Sequence, residues 1–80
     1  MKVSVETKFN IGDVVYVADN YDDYIANSEP HIVQDVLINI SRHGTHILYE
    51  VNRKGFTFTI TEAWVFATYA ECTKWCEEHN

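Results

Sequence analysis

The sequence predicts a small, mainly β domain: a partly open, five-stranded barrel closed by one short C-terminal α-helix. Three observations predict it. Between residues 32 and 61, apolar and polar residues alternate over three successive runs separated by short turn signals, the pattern of a half-buried antiparallel meander. An earlier run, Val14-Val15-Tyr16-Val17-Ala18, is β-branched and aromatic throughout. The last dozen residues abandon that alternation for a helix-capping signature and helical spacing.

Taken in order, residues 1–8 alternate weakly through Val3, Val5 and Thr7, which fits a frayed tail or a short edge strand. Phe9-Asn10-Ile11-Gly12-Asp13 supplies turn chemistry at Gly12 and Asp13. The run at 14–18 is apolar on both faces, so the first strand is expected to be covered on both sides, with Val15 and Val17 inward. Residues 19–30 hold four acids, two Asn and the one Pro, and read as a single long loop pinned by Tyr21, Tyr24 and Ile25. Ile32, Val36, Ile38 and Ile40 share one parity and predict the second strand, with a bulge or bend at Gln34. Ser41-Arg42-His43-Gly44-Thr45 turns the chain into a strand whose inward face is Ile47, Tyr49 and Val51. Asn52-Arg53-Lys54-Gly55 turns it again into Phe56, Phe58 and Ile60, alternating with threonines. Thr61-Glu62-Ala63 reads as a turn and Trp64-Val65-Phe66-Ala67 as a last short strand. Thr68 and Glu71 form a capping box that opens a helix over 67–79, with Cys72, Trp75 and Cys76 on its inward stripe. The predicted core is Ile11, Val15, Val17, Val36, Ile38, Ile40, Ile47, Tyr49, Val51, Phe58, Ile60, Phe66, Cys72 and Cys76.

At 80 residues the chain is one domain, 1–80, and its apolar content of 46 % is what lets so short a chain build a core. Twelve acidic side chains against six basic ones leave a formal charge of -6. Nucleic-acid binding requires cations to displace phosphate counterions, so this balance argues against direct DNA or RNA binding and against anionic membranes. It favours a protein partner with a basic surface. No apolar run approaches a signal-peptide core or a membrane span, which predicts a cytoplasmic protein with Cys72 and Cys76 reduced.

The segments Phe9-Asn10-Ile11-Gly12-Asp13-Val14-Val15-Tyr16, Tyr49-Glu50-Val51, Glu62 and Phe66-Ala67-Thr68 with Glu71 resemble a group of small SH3-like-barrel proteins carried by phages and low-GC Gram-positive bacteria. The resemblance spans roughly residues 8–75. Its motifs are structural, a Gly-Asp turn and a Phe-Ala-Thr helix cap, so it implies an SH3-like barrel and transfers no activity. The adjacent tryptophans and late Ser-Asn-Tyr segment of eukaryotic SH3 domains are missing, so proline-peptide binding is not implied.

Four chemistries compete with plainer readings. Cys72, Cys76 and His79 lie at metal-ligand spacing on one helix, with His43 and His46 near a turn, but cysteines on a buried stripe behave as small apolar residues. A Cys72–Cys76 disulfide is disfavoured, because helical side chains one turn apart do not meet at disulfide geometry. No nucleophile elbow or phosphate-cradling glycine loop is present, so no enzyme, cofactor or metal is predicted. Arg42, His43, Arg53 and Lys54 sit in turns at opposite ends of one strand, about 20 Å apart, and form no single basic patch. They underlie the alternative reading of a nucleic-acid- or ribosome-associated module.

The acidic loop is the expected interaction surface. Asp19, Asp22, Asp23 and Glu29 interleave with Tyr21 and Tyr24, and tyrosine with carboxylate suits recognition of Arg and Lys. A calcium loop is the competing sharp reading, but EF-hand spacing, its central Gly and its closing Glu are missing. The expected function is therefore a non-enzymatic protein-binding accessory factor of phage type. Its most specific form is an anti-CRISPR-like inhibitor whose carboxylates occupy a basic nucleic-acid groove. A homodimer through Trp75 and the cysteine stripe is a further expectation.

Overall fold

The computed structural model describes residues 4–80; the alternation at Val3 lies outside the described residues, and 4–13 form no strand. Strands β1 (Val14–Asn20), β2 (Tyr24–Ala26), β3 (His31–Ser41), β4 (Gly44–Arg53), β5 (Phe56–Thr61) and β6 (Val65–Phe66) are followed by helix α1 (Tyr69–His79), and a 3-10 turn spans Glu62–Trp64. All pairings are antiparallel, in the order β2-β1-β3-β4-β5, with β6 also on β1. The sheet is open: β5 pairs only with β4 among the described residues. No helix is long and apolar enough to cross a membrane.

β1 is the hub, and its apolar residues on both faces explain why. Val15 and Val17 enter the main core with Phe9, Val33, Tyr49, Val51, Ile60 and Val65. Tyr16 and Ala18, of the other parity, face a second cluster with Cys72, Cys76, Phe66 and Trp75. Helix α1 thus covers the back of β1, and Trp64 touches both clusters. Each fully buried valine is worth about 1.5–3 kcal/mol relative to exposure. The helix begins two residues later than the sequence suggests, because Thr68 is its N-cap: the hydroxyl accepts from the Glu71 N–H at 3.2 Å.

Three core expectations are corrected. Ile11 is 67 % exposed. It sits inside a turn where Asp13 N–H bonds Asn10 O, the Asp13 carboxylate accepts from Asn10 N–H, and Gly12 adopts φ +95. Phe9, just before that turn, is buried instead, edge-on to Tyr49. Ile38 and Ile40 are 46 % and 52 % exposed although they share a face with Val36 and Tyr49 across the ladder. β5 reaches along β4 only to Leu48, so no layer covers the hairpin beyond it.

The bulge expected at Gln34 is present, as a register shift between Val33 and Asp35. Its consequence is that Ile32 lies on the opposite face from Ile38. His31 and Val33 point inward before the bulge, Val36 after it. Val33 is locked in that sense by Gly12 and Asp13, which bond both of its backbone groups.

Candidate interaction site

What reads as one long loop is mostly a hairpin. β1 continues through Asp19 and Asn20, which pair with Ile25 and Tyr24, and only residues 21–23 remain as the turn, closed by Tyr21 N–H to Asp23 O at 3.1 Å. The carboxylates and Asn therefore sit at a strand end rather than on a mobile excursion. Asn80 fixes the far side: its side-chain amide accepts from Tyr24 N–H at 2.7 Å and donates to Tyr24 O at 2.9 Å, as a neighbouring strand would.

The structure divides the six expected site residues. Tyr21, 72 % exposed, stands with the exposed Asp22 and Asp23 at the hairpin tip. Asp19 is half-buried beneath them and accepts from the Asn27 side chain at 3.2 Å. Tyr24 is turned to the interior, edge-on to Trp64 and Trp75 with ring centroids 5.8 Å and 4.7 Å away. Glu29 is tied to the turn cations, 3.3 Å from Arg53 and 3.8 Å from Lys54. So Tyr21, Asp22 and Asp23 form one outward group with Asp19 at its foot, whereas Tyr24 and Glu29 hold the hairpin and the neighbouring turn in place. The basic residues are divided too: Arg53 and Lys54 are engaged by Glu29, while Arg42 and His43 lie at the opposite end of β4.

Beside the hairpin runs a trough that sequence reasoning missed. One part, about 310 Å³, is lined by Asp19, Tyr21, Asn27, Arg53, Phe56 and Phe58. A second, about 460 Å³, continues from Asp19 and Phe58 along β5 to Trp64, past Thr59, Ile60 and Thr61. Together they follow the seam between the end of β1 and the unpaired edge of β5, where the sheet stays open. Exposure is graded along one face of β5, which the alternation Phe56, Phe58, Ile60 alone does not reveal: Ile60 is buried, Phe58 half-buried, and Phe56 63 % exposed. That aromatic face continues past the core and becomes the trough wall.

Behind Phe58 lies His31, fully buried and edge-on to its ring. Nδ1 is 2.9 Å from Glu29 O, and Nε2 has no partner among the described residues. Burial, above all, holds its pKa below the usual 6.5, so it is a neutral imidazole donating from Nδ1.

Of the helix residues at metal-ligand spacing, Cys72 and Cys76 are packed inside the chain and His79 is exposed. Burial pushes the Cys72 thiol up to about 12 and raises Cys76 as well. Both lie under Ala18, and His79 stacks on Trp75 at 4.1 Å, with Nδ1 2.8 Å from Trp75 O. Among the described residues, no group of three His, Cys, Asp or Glu is placed to hold a metal ion. The same packing leaves Cys72 and Cys76 no surface to offer a second copy. No family model, curated protein or solved structure matches this chain.

Proposed function

We propose that this chain is a non-enzymatic protein-binding module that takes a basic, extended segment of its partner across the acidic hairpin tip and the adjoining trough. The observation that carries this is the grouping of Tyr21, Asp22 and Asp23 over Asp19 at the mouth of a trough walled by Phe56, Phe58 and Trp64. The carboxylates are the unneutralised charge of that face, since the nearby Arg53 is already paired with Glu29. A partner's Arg or Lys would meet Asp22 and Asp23, its aliphatic stem lying on Tyr21, and its backbone could add to the free edge of β5. Exposed charge pairs contribute about 0.2–1 kcal/mol each, so the tyrosine and the trough aromatics would supply most of the affinity and the acids the on-rate and selectivity.

An SH3-like architecture is part of this reading. It is supported by the element order: a hairpin inserted after the first strand, a three-stranded meander, a 3-10 turn, and a last strand returned onto the first. The non-enzymatic reading is supported by thiols held protonated by burial and an imidazole sealed in the core. In its most specific form the module is a phage-type inhibitor of a host defence protein, its carboxylates standing in for nucleic-acid phosphates on a cytoplasmic target. That form rests on the acidic balance and the sequence resemblance.

The test is binding of a fluorescent Arg/Lys-rich peptide at 50 and 300 mM salt. Wild type should bind with strong salt dependence, and Asp22→Asn with Asp23→Asn should weaken binding at low salt by about five-fold or more without changing the melting temperature. Tyr21→Ala should weaken it at both salts. Equal peptide binding by all of these proteins would refute the reading. Tighter binding to bare RNA or DNA than to the peptide would replace it with the nucleic-acid alternative.

A further inference from the structure

The β3–β4 hairpin outruns the sheet. β5 stops opposite Leu48, whereas β3 and β4 stay paired to Ser41 and Gly44. Beyond that point the hairpin is a two-stranded arm, and a lone two-stranded ribbon is marginal in water. Its Leu37, Ile38 and Ile40 are exposed, and Ile38 and Ile40 share one face with Val36 and Ile47.

The backbone of that edge can be accounted for from both ends. Val33 N–H bonds Asp13 O and Val33 O accepts from Gly12 N–H, so at Val33 the outer edge of β3 is occupied by the segment leading into β1. At the far end Ser41 closes the turn on Gly44 and directs its own groups toward β4. Alternating back from Ser41, Asn39 and Leu37 also face β4, while Ile40, Ile38 and Val36 present N–H and C=O outward. Among the described residues no strand pairs with that outer edge past Ile32. The three residues that carry the apolar stripe are thus the three that carry the free ladder groups.

We propose that a second copy of this chain occupies this edge, the two β3 strands pairing antiparallel about a two-fold axis at Ile38. Two features favour a second copy over another partner. The stripe is palindromic: with Ile38 opposite Ile38, Val36 falls opposite Ile40 of the second copy, and the two-fold keeps both stripes on one face. The ends are also complementary in charge. The tip carries Arg42, His43 and His46, and the base carries Asp35 directly across from Glu50, a like-charge pair with no ion-pair partner among the described residues. Antiparallel pairing sets Ser41 of the second copy opposite Asp35 and brings its Arg42 alongside that pair. This surface shares no residue with the β1–β2 hairpin tip or the trough, so the dimer would leave the proposed partner site open.

Sedimentation velocity from 1 to 300 µM tests this. Wild type should pass from monomer toward dimer across that range, Ile38→Lys should remain monomeric with an unchanged circular dichroism spectrum, and Arg42→Glu should raise the dissociation constant about three-fold or more. Directly opposed residues of such a pair lie about 5.5 Å apart at Cα, within disulfide reach. Ile38→Cys treated with diamide should therefore give a covalent dimer on a non-reducing gel, and the equally exposed control Ile25→Cys should not. A wild-type chain that stays monomeric at 300 µM, an Ile38→Lys dimer, or crosslinking only through Ile25→Cys would each overturn the proposal.

Discussion

Replacing Tyr49 by Phe should cost this domain about 2–3 kcal/mol, although one oxygen atom is all that leaves. Tyr49 is fully buried. Its hydroxyl donates to the Glu62 carboxylate and accepts from Phe9 N–H at 3.3 Å, joining the N-terminal segment, β4 and the 3-10 turn in one network. A net hydrogen bond to a charged group is worth about 1.5–3 kcal/mol, and an orphaned buried donor costs about 1–3 kcal/mol. The two figures overlap rather than add, and Lys8 N–H, which also reaches Glu62 at 3.3 Å, keeps part of the carboxylate's satisfaction, so the expected cost stays at about 2–3 kcal/mol. The edge-on contact with Phe9 survives in the variant, so the comparison isolates the hydroxyl. For a domain of this size about 1 kcal/mol moves the melting temperature by roughly 4–8 °C, so the expected drop is about 10–20 °C. Urea and thermal unfolding followed by tryptophan fluorescence would measure it, and a cycle with Glu62→Gln should show coupling above about 1 kcal/mol. Burial, and after it the bond to Glu62, pushes the Tyr49 pKa from 10.0 up to about 12. Its contribution is therefore complete below pH 10 and lost as pH rises through 12, an alkaline slope that Tyr49→Phe should lack. A Tyr49→Phe protein within about 0.5 kcal/mol of wild type would refute the network as a structural tie.

Three further outcomes follow from the same structure. His31 has its folded pKa depressed below 6.5 by burial, so the unfolded chain binds the proton first; stability should be full above pH 6.5 and fall as pH drops through the folded value, a loss that urea midpoints at pH 5 and 7.5 should show shrinking in His31→Gln. Lys54 and Gly55 form the β4–β5 turn with φ 52 and φ 84, so Gly55→Ala should destabilise by roughly 1–2 kcal/mol and Lys54→Asn should gain about 0.5 kcal/mol in the same assay. Cys72 and Cys76 are buried and held protonated, so a thiol reagent at pH 8 should label the native protein many-fold more slowly than the urea-unfolded one; rapid stoichiometric labelling of the folded state would contradict the helix packing.

Five of the six described strands and the helix cap were legible because they are local; β2, inside the acidic stretch 19–30, was not. Val15 and Val17 alternate with Tyr16 and Ala18, and both faces of β1 are covered, one by the sheet core and one by α1. Thr68 and Glu71 mark the helix start because a cap needs only four residues of chain. The bulge was legible as a parity break at Gln34, but its direction was not. Whether Ile32 or Val33 turns inward depends on Gly12 and Asp13, which hold Val33 from twenty residues away. The candidate site follows the same division. Its carboxylates and tyrosines announce themselves by composition, while the trough beside them is made by β5 and the 3-10 turn, contiguous with Asp19 only in space.

Two of the errors in the predicted core, Ile38 and Ile40, share one cause, and it bears on how the molecule works. Ile38 and Ile40 have the right parity, yet both are exposed because strand lengths do not match: β3 has 11 residues and β5 has 6. An alternating strand specifies which way a side chain points and says nothing about whether a second layer reaches it. Where the layer falls short, the inward face becomes surface of core-like composition. This happens at the β3–β4 arm; at the β4–β5 turn Phe56 likewise carries the inward face of β5 past the core, and a row of unpaired backbone groups lies next to each. Exposed edges with apolar faces are what soluble β domains ordinarily blunt with charge or proline. β3 past its bulge and β5 carry no proline and, between Val36 and Ser41 and between Phe56 and Thr61, no charge. Left unguarded in so acidic a chain, these two edges are where strand addition is cheapest. Guarding each in turn, with Ile38→Lys and with Thr59→Lys, should abolish self-association and peptide capture separately. If either change removed both, the two edges would be one surface and the separate assignments would fall.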